Sequence, residues 1–387
     1  MNAEKIYSLH IFTLNAGGGH YATLRALKAI AQQQNRPWQI TVTDIGELTK
    51  LLDPYKKLFG VDANDVYNDM LSMDWTWFHP VTMFLDKFFI NLLYSKAVEL
   101  GEKHWRQHTP IDLVISLIPL HNRAIWESLQ RVQPDTPMVT ILTDFADCPP
   151  HFWIEPETKS YVICGTEKAR NQARNLGVWE EYIIKTSGLI VHPQFYRPIS
   201  DNRHTERQRL GLDPDKITAI VSFGAKGCAT ILDIARSLES ISDKIQVIFL
   251  CGNNQKLAKA LKERPTQLKQ HIQGFTEDVA YLMNLADFFI GKPGSISISE
   301  ALVMNLPVIV DRNYATLMNE KYNADWILEK QVGITVKSFK QIVPAITELL
   351  KPENWSRYKT NVTAIQNQAV FEVAEILQSI LDAGQPV

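Results

Sequence analysis

Cysteine is scarce in this chain, and its placement excludes two classes of site. The 387 residues hold four cysteines, Cys148, Cys164, Cys228 and Cys251, far apart and with no CxxC pair. That spacing suits reduced thiols rather than a zinc site or a disulfide framework. An excess of positive charge is lacking too, since 40 Lys and Arg against 42 Asp and Glu leave a formal net charge of −2. No nucleic-acid partner is therefore expected, because such binders rely on a basic surface. Also missing is any uninterrupted run of about 18 apolar residues, so no membrane-spanning helix is expected. The N-terminus shows neither the basic segment nor the cleavage site of a secretory signal, and a cytoplasmic protein is expected.

What is present is ample core material, with 45% of residues hydrophobic and 21% charged, at a length typical of two domains. Apolar strand-like runs alternate with helical patterns through both halves. They are Ile6–Leu14, Trp38–Thr43, Leu113–Leu117, Met138–Leu142 and Tyr161–Cys164, then Ile217–Phe223, Ile245–Cys251, Phe288–Ile290 and Pro307–Val310. Such alternation predicts an α/β protein of parallel sheets covered by helices, with ligands at the carboxyl ends of the strands. The polar stretch His192–Glu206, broken by Pro193 and Pro198, reads as an interdomain linker. Two facing doubly wound, Rossmann-like domains are expected, over residues 1–197 and 207–370. Residues 371–387 form a C-terminal helix that can pack back on the first domain.

Two loops carry the chemistry. In Gly291–Val310 a turn at Pro293 and Gly294 feeds a short helix, and the hydroxyls of Ser295, Ser297 and Ser299 can cap and line its start. A helix N-terminus offers unpaired N–H groups and partial positive charge, which suit a phosphate. Glu300 lies just downstream, where a nucleotide's sugar hydroxyl can be met. The second loop, Asn15-Ala-Gly-Gly-Gly-His20, follows an apolar run and precedes a helical pattern with Leu24, Leu27 and Ala31 on one face. Gly17, Gly18 and Gly19 let the main chain approach a polar headgroup closely. The dinucleotide fingerprint is excluded, because His20 stands where its last glycine would fall. A simple structural turn has the same composition as either loop.

Trp75–Tyr94 departs from the rhythm, dense in aromatics and interrupted by Asp86 and Lys87. Two readings stand: a buried helical insertion, or an amphipathic surface that dips into a bilayer interface.

With these motifs in order, the chain resembles the glycosyltransferases that make glycolipids. These are the monogalactosyldiacylglycerol synthases and processive diacylglycerol glucosyltransferases, relatives of the lipid-II-forming N-acetylglucosaminyltransferase. The resemblance spans nearly the whole chain. It rests on Ala16–His20, Thr143-Asp144 with His151 and Trp153, Ser187-Gly188 leading to Phe195, and Leu250–Asn254. Gly274-Phe275, Ala286-Asp287, Lys292–Gly294, Ser299–Ala301, Leu306-Pro307 and Asn319-Glu320 with Asn323 complete the series. It implies the GT-B architecture and inverting transfer of a hexose from a UDP-sugar to a membrane lipid hydroxyl, most often diacylglycerol. Neither a cofactor nor an obligatory metal is implied, and attachment would be peripheral, on the cytosolic face of a membrane.

By the same resemblance the C-terminal domain holds the donor. Gly294 and Ser295 would meet the diphosphate, Glu300 the ribose, Asn319 and Glu320 the sugar, and the turn at Phe275 the uracil. Gly17, Gly18, Gly19 and Trp153 would line the acceptor side. The sequence departs from the pattern at Ser222–Cys228, where Gly224, Gly227 and Lys226 replace a richer glycine loop. It departs again at Ser295, which stands for a second glycine, and at Leu317-Met318.

Inverting transfer needs a base near the acceptor hydroxyl. His20 leads, since an imidazole with an ordinary pKa of about 6.5 accepts a proton at neutral pH. Alternatively it only orients the loop or bonds a phosphate. Asp144 is the rival, unless it caps a helix or holds the His20 tautomer; Asp147 and His151 are less favoured. His10, His104 and His108 read as core or surface residues. The competing functions are transfer to another acceptor such as a polyprenyl-linked sugar, a UDP-N-acetylglucosamine 2-epimerase-like reaction, and a catalytically silent nucleotide-sugar binder.

Overall fold

A computed structural model describes residues 5–14, 18–50, 52, 60, 79–108, 110–198 and 202–383. The chain packs into two units. One holds Met1–Pro193, Leu317–Asn319 and Asn367–Val387, and the other holds Gln194–Thr316 and Glu320–Gln366.

Within the first unit lie β1 (Tyr7–Thr13), β2 (Trp38–Asp44), β3 (Leu113–Ser116), β4 (Met138–Ile141), β5 (Tyr161–Cys164) and β6 (Ile183–Lys185). They form one parallel sheet in the order β2-β1-β3-β4-β5-β6. The central strands Leu-Val-Ile-Ser and Met-Val-Thr-Ile are buried at every position. That is the continuous apolar pattern of a strand covered on both faces. The Gly19–Gln33 helix follows β1 and buries Leu24, Ala26, Leu27, Ile30 and Ala31, one stripe at helical spacing.

The closing helix, Ala369–Ala383, belongs to this same unit. The Trp38 indole donates to Gln378 at 2.9 Å, and the Tyr7 hydroxyl donates to Asp382 at 2.7 Å. At the helix entrance the Asn367 amide donates to the carbonyl of Leu189 at 2.8 Å. Gly188 is required there, because a Cβ would stand 2.5 Å from Asn367 Cγ.

The second unit holds β7 (Ile217–Ser222), β8 (Ile245–Leu250), β9 (Gln270–Gln273), β10 (Phe288–Gly291), β11 (Val308–Asp311) and β12 (Gly333–Val336). These too run parallel, in the order β12-β11-β10-β7-β8-β9. Strands β6, β9 and β12 were not anticipated from the sequence. All three are edge strands, short and only partly buried, so no apolar run marks them.

Both strand orders reverse direction once. In the first sheet the chain builds outward on opposite sides from β1 and β3, and in the second from β7 and β10. At such a point the connections leave in opposite directions and open a crevice beyond the carboxyl ends of the strands.

Candidate active site

The first unit's reversal lies between the connections after β1 and β3, where His20 sits. Gly17 lies outside the described residues. Gly18 takes a left-handed backbone, φ 87, with open space where a Cβ would stand, and the helix begins at Gly19. His20 Nδ1 lies 2.7 Å from the carbonyl oxygen of Leu117, at the end of β3. A carbonyl only accepts, so Nδ1 carries the proton and Nε2 keeps its lone pair. Burial pulls the imidazole pKa down to about 4, partly opposed by the Leu117 hydrogen bond. The ring is therefore neutral at pH 7, and the carbonyl of Leu117 fixes its tautomer, a role the sequence had left open to Asp144.

Asp144 follows β4 and is buried. It accepts the Trp153 indole N–H at 3.1 Å and the Asn319 amide at 3.4 Å. The Trp153 and His20 rings lie 5.8 Å apart, which places Asp144, Trp153 and His20 in one neighbourhood. Asp147 has a constructional part: its carboxylate accepts from the main-chain N–H groups of His151, Phe152 and Trp153 at 2.8, 2.9 and 2.6 Å. His151 is held there with a positive φ of 61.

In the second unit the reversal lies between the connections after β7 and β10. Gly224 and Gly227 bend the first through φ 81 and 61, with Lys226 exposed between them. A Cβ on Gly227 would stand 2.5 Å from the carbonyl of Cys251, so this loop packs on the one after β8. The end of β10 is as tight, since a Cβ on Gly291 would lie 2.3 Å from Ser222 O.

Beyond it, Gly294 caps the Ser295–Val303 helix with no side-chain hydrogen bond. The hydroxyl cap expected of the serines is replaced by a bare glycine, and the Ser299 hydroxyl donates instead to the carbonyl of Ser295 at 2.8 Å. A glycine at the cap position supplies no side chain of its own to the first turn. Around Gly294 the nearest atoms to a Cβ are Lys292 Cε at 3.6 Å and Glu320 Oε1 at 3.8 Å.

Lys292 and Glu320 pair at 3.0 Å beside this turn, and the Asn323 amide pins it through the carbonyl of Pro293 at 2.9 Å. Burial, reinforced by the charge of Glu320, pushes the Asp311 carboxyl up to about 6. Glu300 is half-buried on the same helix, and Phe275 is 52% exposed beyond β9. Asn319 belongs to the first unit, against Asp144, whereas Glu320 belongs to the second. The Lys292–Glu320 pair was missed in the sequence because 28 residues separate its partners. Among the described residues no group of three or more His, Cys, Asp or Glu is arranged to hold a metal ion.

Residues 222–374, which contain the Gly294 turn, match the model of the "Glycosyltransferase family 28 C-terminal domain". This segment is similar to the C-terminal domain of family 28 glycosyltransferases. The chain as a whole is a glycosyltransferase related to galactolipid and diacylglycerol glycosyltransferases. It is 24% identical to monogalactosyldiacylglycerol synthase 2, chloroplastic, of Arabidopsis thaliana, over 100% of this chain and 84% of the relative. To the processive diacylglycerol beta-glucosyltransferase of Bacillus licheniformis it is also 24% identical, over 100% and 97%.

Among solved structures, the S. aureus MnaA–UDP co-structure superposes with a TM-score of 0.62 at 12% identity, covering 97% of each chain. MurG of Acinetobacter baumannii superposes with a TM-score of 0.59 at 12% identity, covering 97% of this chain and 100% of that one. The shared fold is GT-B, two Rossmann-like domains.

Proposed function

We propose that this enzyme moves a hexose from a UDP-sugar to the hydroxyl of diacylglycerol, with inversion at the anomeric carbon. The observation that carries the reading is the glycine-started helix at Gly294, set at the sheet reversal inside the segment that matches the family 28 model. Fixed N–H groups there meet the charge that develops on a departing diphosphate without reorganising. Gly294 and Ser295 take the diphosphate, with Gly224 and Gly227 lining the same crevice. Glu300 accepts from the ribose, Glu320 from the hexose, and the turn at Phe275 takes the base.

On the acceptor side, Nε2 of His20 removes the proton from the lipid hydroxyl. That oxygen bonds to the anomeric carbon as the bond from this carbon to the UDP oxygen breaks, and the imidazolium then releases its proton to water. Gly17, Gly18, Gly19 and Trp153 shape the acceptor pocket in this reading. Asp144 is the secondary candidate for the base; its tie to the Trp153 indole supports a positioning part. Preorganised dipoles and Lys292 stabilise the leaving UDP, so no metal is required.

Attachment to the cytosolic face of a membrane belongs to the same proposal. No helix among the described residues is long and apolar enough to cross a membrane. The His79–Leu92 helix, however, exposes Val81, Phe84, Phe88 and Leu92 along one side while Met83 is buried. That surface suits an interface between water and lipid. Of the segment expected to do this, residues 75–78 lie outside the described residues.

The test is sugar transfer from radiolabelled UDP-glucose, UDP-galactose and UDP-N-acetylglucosamine, with and without diacylglycerol liposomes. Label entering the lipid fraction is the expected result and identifies the hexose. Water-soluble label with every donor, despite UDP binding, would overturn the acceptor and favour a polyprenyl-linked acceptor or an epimerase-like reaction.

A further inference from the structure

His121 stands in the connection after β3, four residues beyond the carbonyl that holds His20, and both of its neighbours are tied down. Leu120 adopts a left-handed backbone, φ 68, and its N–H donates to the carbonyl of Phe152 at 2.7 Å. The buried Asn122 amide donates to the carbonyls of Ile118 at 3.1 Å and Trp153 at 2.9 Å. Its oxygen accepts the Ser116 hydroxyl at 2.5 Å.

The imidazole between these anchors has none of its own. It opens the Asn122–Val132 helix without capping it, and among the described residues no hydrogen-bond partner, ion pair or ring contact meets it. Burial alone acts on its basicity, pulling it down to about 4. The residue is only half-buried, so part of it remains open to solvent. Water can satisfy the open part of such a ring, and a bound group that offers a donor and an acceptor can take the water's place.

The surroundings say what kind of group. Leu120 packs against the apolar cluster of Leu142, Phe152, Trp153 and Ile154, and Trp153 also neighbours His20. A neutral imidazole offers one donor and one acceptor and no charge. It therefore suits a hydroxyl or ester beside acyl chains and gives an anionic headgroup no counter-charge.

We propose that His121 binds the uncharged glycerol headgroup of the lipid acceptor, beside the hydroxyl that His20 deprotonates. This rests on the reading of the enzyme as a diacylglycerol transferase. His121 is a positioning residue here, distinct from the base.

The experiment compares wild type, His121→Ala and His121→Gln with dioctanoylglycerol in mixed micelles, reading kcat, both KM values and the melting temperature. Loss of one neutral hydrogen bond should raise the acceptor KM of His121→Ala about tenfold. The amide of His121→Gln, which keeps a donor and an acceptor, should recover most of that loss. The KM for the UDP-sugar and the melting temperature should hold in both variants. An unchanged acceptor KM in an active His121→Ala enzyme overturns the proposal alone. So does a parallel rise in both KM values with a lower melting temperature, which marks a merely structural residue. If wild type transfers nothing to dioctanoylglycerol, the acceptor reading itself has failed and this assignment falls with it.

Discussion

Nδ1 of His20 and the carbonyl oxygen of Leu117 stand 2.7 Å apart, bridging the two connections between which the first sheet reverses. The hydrogen bond leaves Nε2 as the unprotonated nitrogen and lets a single main-chain group choose the tautomer.

The pH dependence of transfer follows from that environment. Burial lowers the His20 pKa to about 4, and the base works only when deprotonated. Activity should persist as pH falls through 6.5 and collapse only near pH 4, read as the acid limb of kcat/KM. A limb near 6.5 would exclude His20 as the base. His20→Ala should cut kcat by roughly 10²–10⁴-fold with UDP affinity unchanged.

A second histidine group bears on stability instead. His10 Nε2 meets the Thr43 hydroxyl at 2.9 Å and His104 Nε2 at 3.1 Å, and His104 stacks on His108 with centroids 4.2 Å apart. Burial first, and neighbouring imidazoles second, push His10 down to about 3 and His104 to about 4. These values lie below the unfolded pKa of about 6.5, so the unfolded chain takes up protons first as pH falls. The stability is complete above about pH 6.5 and is lost as pH drops toward 4, by a few kcal/mol at pH 5. Urea unfolding between pH 7.5 and 4.5 should show this slope, and His104→Leu should flatten it. An equal slope in that variant would place the acid sensitivity elsewhere.

How far the sequence disclosed this molecule depended on where each strand sits. Central strands such as β3 and β4 are apolar at nearly every position and stood out, whereas Gln270–Gln273 and Gly333–Val336 lie at edges and lack that mark. Trp38–Asp44 is also an edge strand, yet Trp38, Ile40 and Val42 made it legible as a strand-like run. Glycine after a strand located both loops. What composition could not convey was pairing at a distance: His20 with Leu117 across 97 residues, or Asp144 with Asn319 across 175. The serine cap misled because Ser295–Ser299 carry the residue types of a cap, while the backbone places Gly294 at that position.

Membrane engagement should reside in the exposed side of the His79–Leu92 helix. Phe84 is 71% exposed and Phe88 53%, so replacing both with serine removes little packing from the fold. Phe84→Ser/Phe88→Ser should weaken co-sedimentation with liposomes about tenfold or more, from lost apolar burial. UDP binding and the melting temperature should remain. Undiminished co-sedimentation would move the membrane contact to another surface.

Three glycines of the second unit separate folding from donor binding. Gly227→Ala meets a positive φ of 61 and a carbonyl 2.5 Å from the new Cβ, so it should destabilise by about 2–4 kcal/mol. Gly224→Ala has open space but a φ of 81, and backbone strain alone should cost about 1–2 kcal/mol. Gly294 differs from both, because its φ of −70 accepts alanine and no atom lies closer than 3.6 Å to the added carbon. Gly294→Ala should therefore melt like wild type. The methyl would nevertheless occupy the space through which a diphosphate reaches the first-turn N–H groups, and UDP should bind about tenfold or more weakly. Calorimetric titration with UDP beside thermal unfolding checks both halves. Full UDP affinity in Gly294→Ala would remove this helix start from the donor site, because nothing else about the substitution disturbs the fold.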